Sequence, residues 1–480
     1  MEQDLAESTR TTANLEDLNR NFKLLKDYAP TMAQSTIKAR KAWLKKFLKT
    51  ILTHREDITA ALYADYQRSA IETELADTWV VVKEIRFALR HMDDWLKPKH
   101  VPTPLPFVGS SSYIYQEAKG VVLIISPWNF PFNLSFSPLI SAIAAGNTVY
   151  IKPSEFTPHS SALIAKIVAE VFPPNVVQVA HGGVEESQAL LKLPFNHIFF
   201  TGSPSVGKIV MKAAAENLTS VSLELGGKSP TILDADINVA AIARNVVYSK
   251  YTNSGQVCID TDYIYVHEKI ADKFLAAAKA CLLELYPKDT LAKGGTYAKI
   301  VNARQFRRLN GLLEDAIQKG ATAHLSGELD EASCFFPPVI LSGLNSDMEI
   351  EKNEIFGPIL PIKTFTDINR LPALINEGGK PLAMYVFTNK KDHANMLIAN
   401  VPAGAVLVNE TFIHHFNSYL PFGGIGTSGL GKSHGYFGFQ EFSNQKAVLK
   451  HWLPWRPSGM LHPPYTKFSK FLVNLLMKYF

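Results

Sequence analysis

The sequence predicts an α/β protein centred on a doubly wound parallel sheet, and three observations carry that prediction. From Gly120 onward short, wholly apolar segments alternate with longer amphipathic ones, the rhythm of strands and covering helices. The apolar segments show no in-and-out alternation, which marks strands buried on both faces. The chain has 480 residues, 46% hydrophobic and 19% charged, enough apolar surface for two or three domains and too apolar for disorder.

The elements follow in order. The first hundred residues read as helix, with Trp43, Phe47, Leu48 and Ile51 on one face and lysines opposite. The Pro-rich run Lys97 to Pro106 reads as an extended connector, and "SSSYIYQEA" after it as an exposed or edge strand. Then "GVVLIIS" is strand, followed by a helical pattern through Leu139 to Ala145. "NTVYIKPSE", "NVVQVAHG", "HIFFTGS" and "SVSLELGG" are strands, separated by the helices "PHSSALIAKIVAEVF", "EESQALLKL" and "SVGKIVMKAAAENL". A second α/β stretch runs from Pro230 to about Val408, and a Gly-rich region follows. In doubly wound sheets ligands sit beyond the carboxyl ends of the strands, which directs attention to the loops there.

Composition excludes several classes. A net charge of +5 is small for this length and gives no concentrated basic stripe for nucleic acid. Cys258, Cys281 and Cys334 are odd in number and widely spaced, so neither a disulfide framework nor a metal knuckle is present. That fits a reducing, cytoplasmic setting. The polar start "MEQDLAESTR" lacks the apolar core of a signal peptide, and no apolar run is long enough to span a bilayer.

Two stretches imitate phosphate loops. Gly426 to Ser433 satisfies GxxxxGK[ST] in full, the mark of a P-loop nucleotide hydrolase. Pro421, Gly423 and Gly424 before it, and two further glycines after it, leave no good strand or helix to frame it, so a glycine-rich turn is the better reading. The run from Gly202 through Ser203 to Gly207 and Lys208 does lie between a strand and a helix. It lacks the hydroxyl that would hold magnesium. Its helix-opening N–H groups suit a pyrophosphate, favouring a nicotinamide cofactor over ATP.

Four loops at strand ends then combine into chemistry: "SPWNFPF", "KPSE", "LELGGKSP" and "NSGQVC". A Cys258 thiolate is a strong nucleophile toward a carbonyl. The oxyanion left by attack needs N–H donors, which the Asn129 amide can supply. Glu224 can take a proton from the thiol or from water. Lys152 and Glu155, a cation and an acceptor on one loop, suit ribose or phosphate. Each residue alone has an ordinary structural reading, such as a turn cap for Asn129 or pairing with Lys228 for Glu224; together they are much harder to dismiss.

"PWNFP", "KPSE", "FTGS", "LELGGKSP", "NSGQVC", "EIFGP" and "PFGGIGTSGLGKSHG", in this order, resemble the aldehyde dehydrogenase superfamily to about Val448. "HGYFGF" and the extra tail resemble its class 3 branch, which includes fatty aldehyde dehydrogenases. The resemblance implies a cofactor domain over 1–98 and 120–226, a catalytic domain over 227–407, and bridging, oligomerising strands in 99–119 and 408–450. It implies NAD(P)-dependent oxidation of aldehydes, medium- to long-chain aliphatic ones in this branch, to carboxylic acids. Cys258 would form a thiohemiacetal and then a thioester, Asn129 and the Cys258 N–H would hold the oxyanion, and Glu224 would activate the hydrolytic water. Glu354 and Phe356 would position the nicotinamide ribose and ring, Glu354 being also a candidate base. Lys152 and Glu155 would meet the adenosine ribose, with Gly202, Ser203 and Gly207 beside the pyrophosphate. NAD and NADP both remain open, no metal is implied, and a homodimer is. A CoA-acylating variant is the nearest chemical alternative, disfavoured because it has no need of Glu224. Asp260 and Asp262 depart from the family pattern after the cysteine; Asp260 is expected to face away from the thiol.

The tail "TKFSKFLVNLLMKYF" places Phe468, Phe471, Leu472, Leu475, Leu476 and Tyr479 on one helical face, with Lys467, Lys470, Asn474 and Lys478 opposite. Such a face covers a groove on this subunit or a partner, the favoured reading, or lies on an anionic membrane surface.

Overall fold

The computed structural model describes residues 2–287, 291 and 296–480. Five parallel strands form the first sheet: β1 (Val121–Ile125), β2 (Thr148–Lys152), β3 (Val177–Val179), β4 (His197–Gly202) and β5 (Ser220–Leu225). Their spatial order is β5-β4-β1-β2-β3. The chain moves outward from β1 to β3 and returns to β4 on the other side of β1. This reversal opens a crevice between the carboxyl ends of β1 and β4. Helices cover both faces, and Val122, Leu123, Ile124, Val149 and Ile151 are wholly buried, which is why these strands read as continuous apolar runs.

The second sheet contains β6 (Pro230–Leu233), β7 (Tyr263–His267), β8 (Thr322–Leu325), β9 (Val339–Ser342), β10 (Ile359–Phe365), β11 (Ala383–Phe387) and β12 (Ala405–Val408). The order is β8-β9-β10-β7-β6-β11-β12, parallel except for the β8 edge. A third sheet joins Lys99–Val101, Ser110–Ala118 and Ser443–His451. The segment 408–450 does not serve that sheet alone, because β13 (Gly429–Leu430) adds to the first sheet, antiparallel to β5. Glycine makes this approach possible: a Cβ at Gly429 would lie 2.3 Å from Leu223 O.

The early helices follow their periodicity. Thr36 caps the helix Ile37–Thr53 by accepting from the Ala39 N–H, and Leu44, Phe47 and Ile51 point into the core. The tail departs from the reading that it covers a groove on this subunit. Lys467–Tyr479 is helical and capped by Thr466, but Phe468, Phe471 and Tyr479 are 55%, 59% and 62% exposed. No helix among the described residues is long and apolar enough to cross a membrane.

Candidate active site

The loop leaving β1 carries Asn129 into the crevice just before the helix Pro131–Ala145. Asn129 is buried, and its Nδ2 donates to Gln256 O at 3.0 Å. An amide nitrogen has two N–H groups, so this bond orients the other. The Asn129 carbonyl accepts from Tyr66 Oη at 2.9 Å and from Asn253 Nδ2 at 3.1 Å.

The turn before the cysteine is an unusual piece of backbone. Asn253, Ser254 and Gly255 have φ of 51°, 53° and 69°, a left-handed run that side chains resist unless their surroundings hold them. Ser254 Oγ donates to Ala298 O, and Gln256 Nε2 donates to Asn253 O at 3.0 Å and Lys299 O at 3.1 Å. Gly255 is required twice over, by its φ and because a Cβ there would stand 2.3 Å from Gly357 O. The turn delivers Cys258, half-buried, to the cavity wall. Burial pushes its thiol up to about 12, and Glu354 and Glu224 add to the rise.

Glu224 lies near the end of β5. It is buried, and among the described residues neither carboxyl oxygen has a well-formed hydrogen bond. Burial pushes it up to about 8, offset only in part by Ser433 and Lys432. Pairing with Lys228 is not what the fold provides: Lys228 Nζ bonds Asp262 Oδ2 at 2.7 Å and Asn353 O at 2.9 Å. Asp262 also accepts from the Ile355 N–H at 2.7 Å, and Arg308 donates to Ile355 O at 2.7 Å. These bonds fix the loop that carries Glu354 and Phe356. Burial first, then Asp262, pushes Glu354 up to about 8. The Phe356 ring meets Trp128 edge-on at 5.5 Å. Asp260 is turned to Lys250 at 2.6 Å in a buried ion pair.

One cavity of about 720 Å³ is lined by Asn129, Gly202, Ser203, Glu224, Cys258, Glu354 and Phe356. Cys258, Asn129, Glu224 and Glu354 therefore face the same space as a helix start. Ser203 caps the helix Pro204–Ala215, and its N-terminal end, positive in the macrodipole, opens on the cavity. These residues fit a nicotinamide dinucleotide. Lys152, Glu155 and Gly207 do not line the cavity. Lys152 follows at the carboxyl end of β2, with Nζ 2.8 Å from Pro153 O and 3.5 Å from Glu155 Oε2. Gly207 serves helix packing, since a Cβ would come within 2.7 Å of Leu225 Cδ2.

The P-loop look-alike lacks a strand leading into it, although a short helix, Gly435–Glu441, does open just after it, where the sequence predicts none. Gly426 to Ser433 contains β13 and no helix, and Lys432 Nζ is bonded to Gly424 O at 2.9 Å. Sequence reasoning missed Tyr66, Arg68, Asp77, Trp128, Asn253 and Arg308. Trp128 and Asn253 lay inside quoted motifs, whereas the others had no local signal.

The aldehyde dehydrogenase family model matches residues 3–448. The chain is 39% identical over 447 residues to 4,4'-diaponeurosporen-aldehyde dehydrogenase of Staphylococcus aureus, covering 93% of this chain and 96% of the relative. It is 38% identical over 424 residues to aldehyde dehydrogenase family 3 member A2 of Macaca fascicularis, covering 88% and 86%. Staphylococcus aureus AldH in a substrate-bound state matches with a TM-score of 0.91 and 38% identity, over 95% of this chain and 99% of that one. The NAD+ complex of a Bacillus cereus aldehyde dehydrogenase matches with a TM-score of 0.84 and 26% identity, over 91% and 89%.

Proposed function

Since this chain belongs to the aldehyde dehydrogenase family and is an aldehyde-oxidising enzyme that uses NAD or NADP, we propose that its substrates are medium- to long-chain aliphatic aldehydes, released as carboxylic acids. The observation that carries the reading is the convergence of Cys258, Asn129 and Glu224 on one cavity with Trp128, Leu134, Pro138 and Phe422 in its walls. The Cys258 sulfur attacks the aldehyde carbon. The Asn129 amide and the Cys258 backbone N–H hold the oxyanion of the thiohemiacetal. Glu354 and Phe356 hold the nicotinamide half of the cofactor, and Gly202 and Ser203 its pyrophosphate. Bound NAD(P) supplies the hydride acceptor. Glu224 then takes a proton from water, whose oxygen attacks the thioester carbon and releases the acid and the Cys258 thiolate. A base with a pKa near the working pH suits this step.

The test is initial rates of NADH and NADPH formation with decanal, without CoA, for the natural protein beside Cys258→Ala. Reduction by the natural protein alone supports the reading, and the two cofactor rates give the preference. Reduction only with CoA, or only with aromatic aldehydes, would replace the hydrolytic or the aliphatic part. Equal rates in both proteins would remove Cys258 from the mechanism.

The tail extends the reading to a membrane surface. Of the 49 Lys and Arg and 44 Asp and Glu, six cations and no carboxylate fall within 443–480, leaving 43 cations against 44 carboxylates elsewhere. A second copy would therefore offer this segment a near-neutral surface or an identical cationic one. An anionic lipid surface complements both the lysines and the exposed aromatic rings. Homodimerisation is a separate proposal, supported by the long exposed edge of the strand Ser443–His451.

A further inference from the structure

Asn129 and Cys258 sit on loops of different domains, and a buried charged cluster on the N-terminal helices holds both loops. Arg68, just beyond the helix Arg55–Tyr66, is wholly buried. Its Nη1 donates to Asp77 Oδ2 at 2.6 Å and to Asn129 O at 3.4 Å, and its Nη2 donates to Glu72 O at 3.3 Å. The guanidinium lies 4.3 Å from the Phe130 ring centroid. Asp77 is also wholly buried, and its Oδ1 accepts from the N–H groups of Phe132 and Asn133 at 3.1 and 2.9 Å. Those are unpaired donors of the first turn of the helix Pro131–Ala145, so a carboxylate from another helix caps it. Asp77 stands in a π turn, Glu74–Trp79, a widened form common at functional sites.

The same cluster reaches the cysteine loop. Glu72 Oε2 accepts from the Asn253 N–H at 3.2 Å and lies 3.9 Å from Arg68 Nε. Asn253 Nδ2 bonds the Asn129 carbonyl, closing a ring through Arg68, Glu72, Asn253 and Asn129. Burying such charges carries a desolvation cost that well-packed apolar side chains avoid, so stability is a poor reason for the cluster. Direction is a better one: the guanidinium fork fixes the angles between its partners, which neither Lys nor an apolar residue can do.

We infer that Arg68 is a positioning residue for aldehyde oxidation, setting the Asn129 amide relative to the Cys258 loop by holding the Asn129 carbonyl directly and the Asn253 backbone through Glu72. The inference rests on the reading of Asn129 as oxyanion donor. The experiment is a double-mutant cycle in the full chain, with Arg68→Lys and Asn129→Ala alone and combined, followed by single-turnover NAD(P)H formation from decanal and by Cys258 alkylation with iodoacetamide. Arg68→Lys is expected to slow hydride transfer about tenfold to a hundredfold and to leave alkylation, which needs no oxyanion donor, within about twofold of the natural rate. In the Asn129→Ala background Arg68→Lys should cost almost nothing further, because the group it positions is gone. Equal losses in both backgrounds, or alkylation falling in step with hydride transfer, would overturn the positioning role. An Asn129→Ala variant with the natural rate would instead overturn the donor reading itself. Should Arg68→Lys fail to fold, Tyr66→Phe enters the same cycle, removing the hydroxyl bond to the Asn129 carbonyl and the hydroxyl's contact with Arg68. It must then show the same non-additivity with a smaller loss, and additive losses would overturn the inference.

Discussion

Glu354 occupies the space that a side chain on Gly226 would fill: a Cβ there would lie 1.9 Å from Glu354 Oε2. The carboxyl group thus rests against bare backbone at the turn leaving β5, two residues after Glu224. Gly226→Ala is expected to push the flexible Glu354 carboxyl aside and leave the sheet in place. Cofactor Kd, measured by fluorescence titration, should rise about tenfold with little change in Tm. Unchanged affinity would separate Glu354 from cofactor binding.

The thiol of Cys258, pushed up to about 12 by burial and then by Glu354 and Glu224, should alkylate ever faster with pH up to about 10 in the cofactor-free protein, without a plateau. Above about 8 Glu354 is ionised, and its negative charge opposes the thiolate. Glu354→Gln should therefore move the alkylation profile toward acid. A superimposable profile would leave burial and Glu224 as the causes.

Glu224 links activity and stability with opposite signs. Its carboxyl titrates near 8 in the folded protein and near 4.5 as the free group. Between these values the folded state holds a proton that the unfolded state has released. Stability from this group is therefore full below about 4.5 and is lost as pH rises through about 8. Glu224→Gln should gain in Tm over the natural protein at pH 8.5 relative to pH 5. It should also show one rapid turnover of NAD(P)H followed by slow acid release. Parallel stability curves would mean the carboxyl is not held neutral.

Deleting the residues after Pro464 removes a helix with three lysines, Lys467, Lys470 and Lys478, and its exposed aromatic face. The full chain should co-sediment with phosphatidylglycerol vesicles at low salt and less so at high salt, whereas the truncated chain should remain in the supernatant. Equal partitioning of both chains would count against membrane contact, and loss of dimer on truncation would assign the face to a second copy.

The candidate residues stand out in the sequence where their proposed chemistry is local. Asn129 stands in the loop leaving β1 and Glu224 near the end of β5, and strand ends show in the apolar rhythm; Cys258 follows the helix Val239–Tyr251 and is marked by its Gly-containing turn. Gly207 shows the limit of such reading. Beside a helix start it reads as a phosphate contact, and only the 2.7 Å approach to Leu225 reveals a packing glycine. Charge partners were less accessible still. Lys228 is near Glu224 in sequence and bonded to Asp262 in space.

By itself the sequence determined that parallel strands would form and which residue types would stand at their carboxyl ends, because burial on both faces and turn chemistry are properties of neighbouring residues. Tertiary structure alone decided that the β1 loop and the cysteine turn share one cavity, that β13 pairs with β5, and that the tail's apolar face is left uncovered by this chain. It also decided that Arg68 and Asp77, 61 and 55 positions from their backbone partners Asn129 and Phe132, hold the Asn129 loop. Bonds across such distances depend on how helices pack on sheets, and no local pattern of residues records that packing.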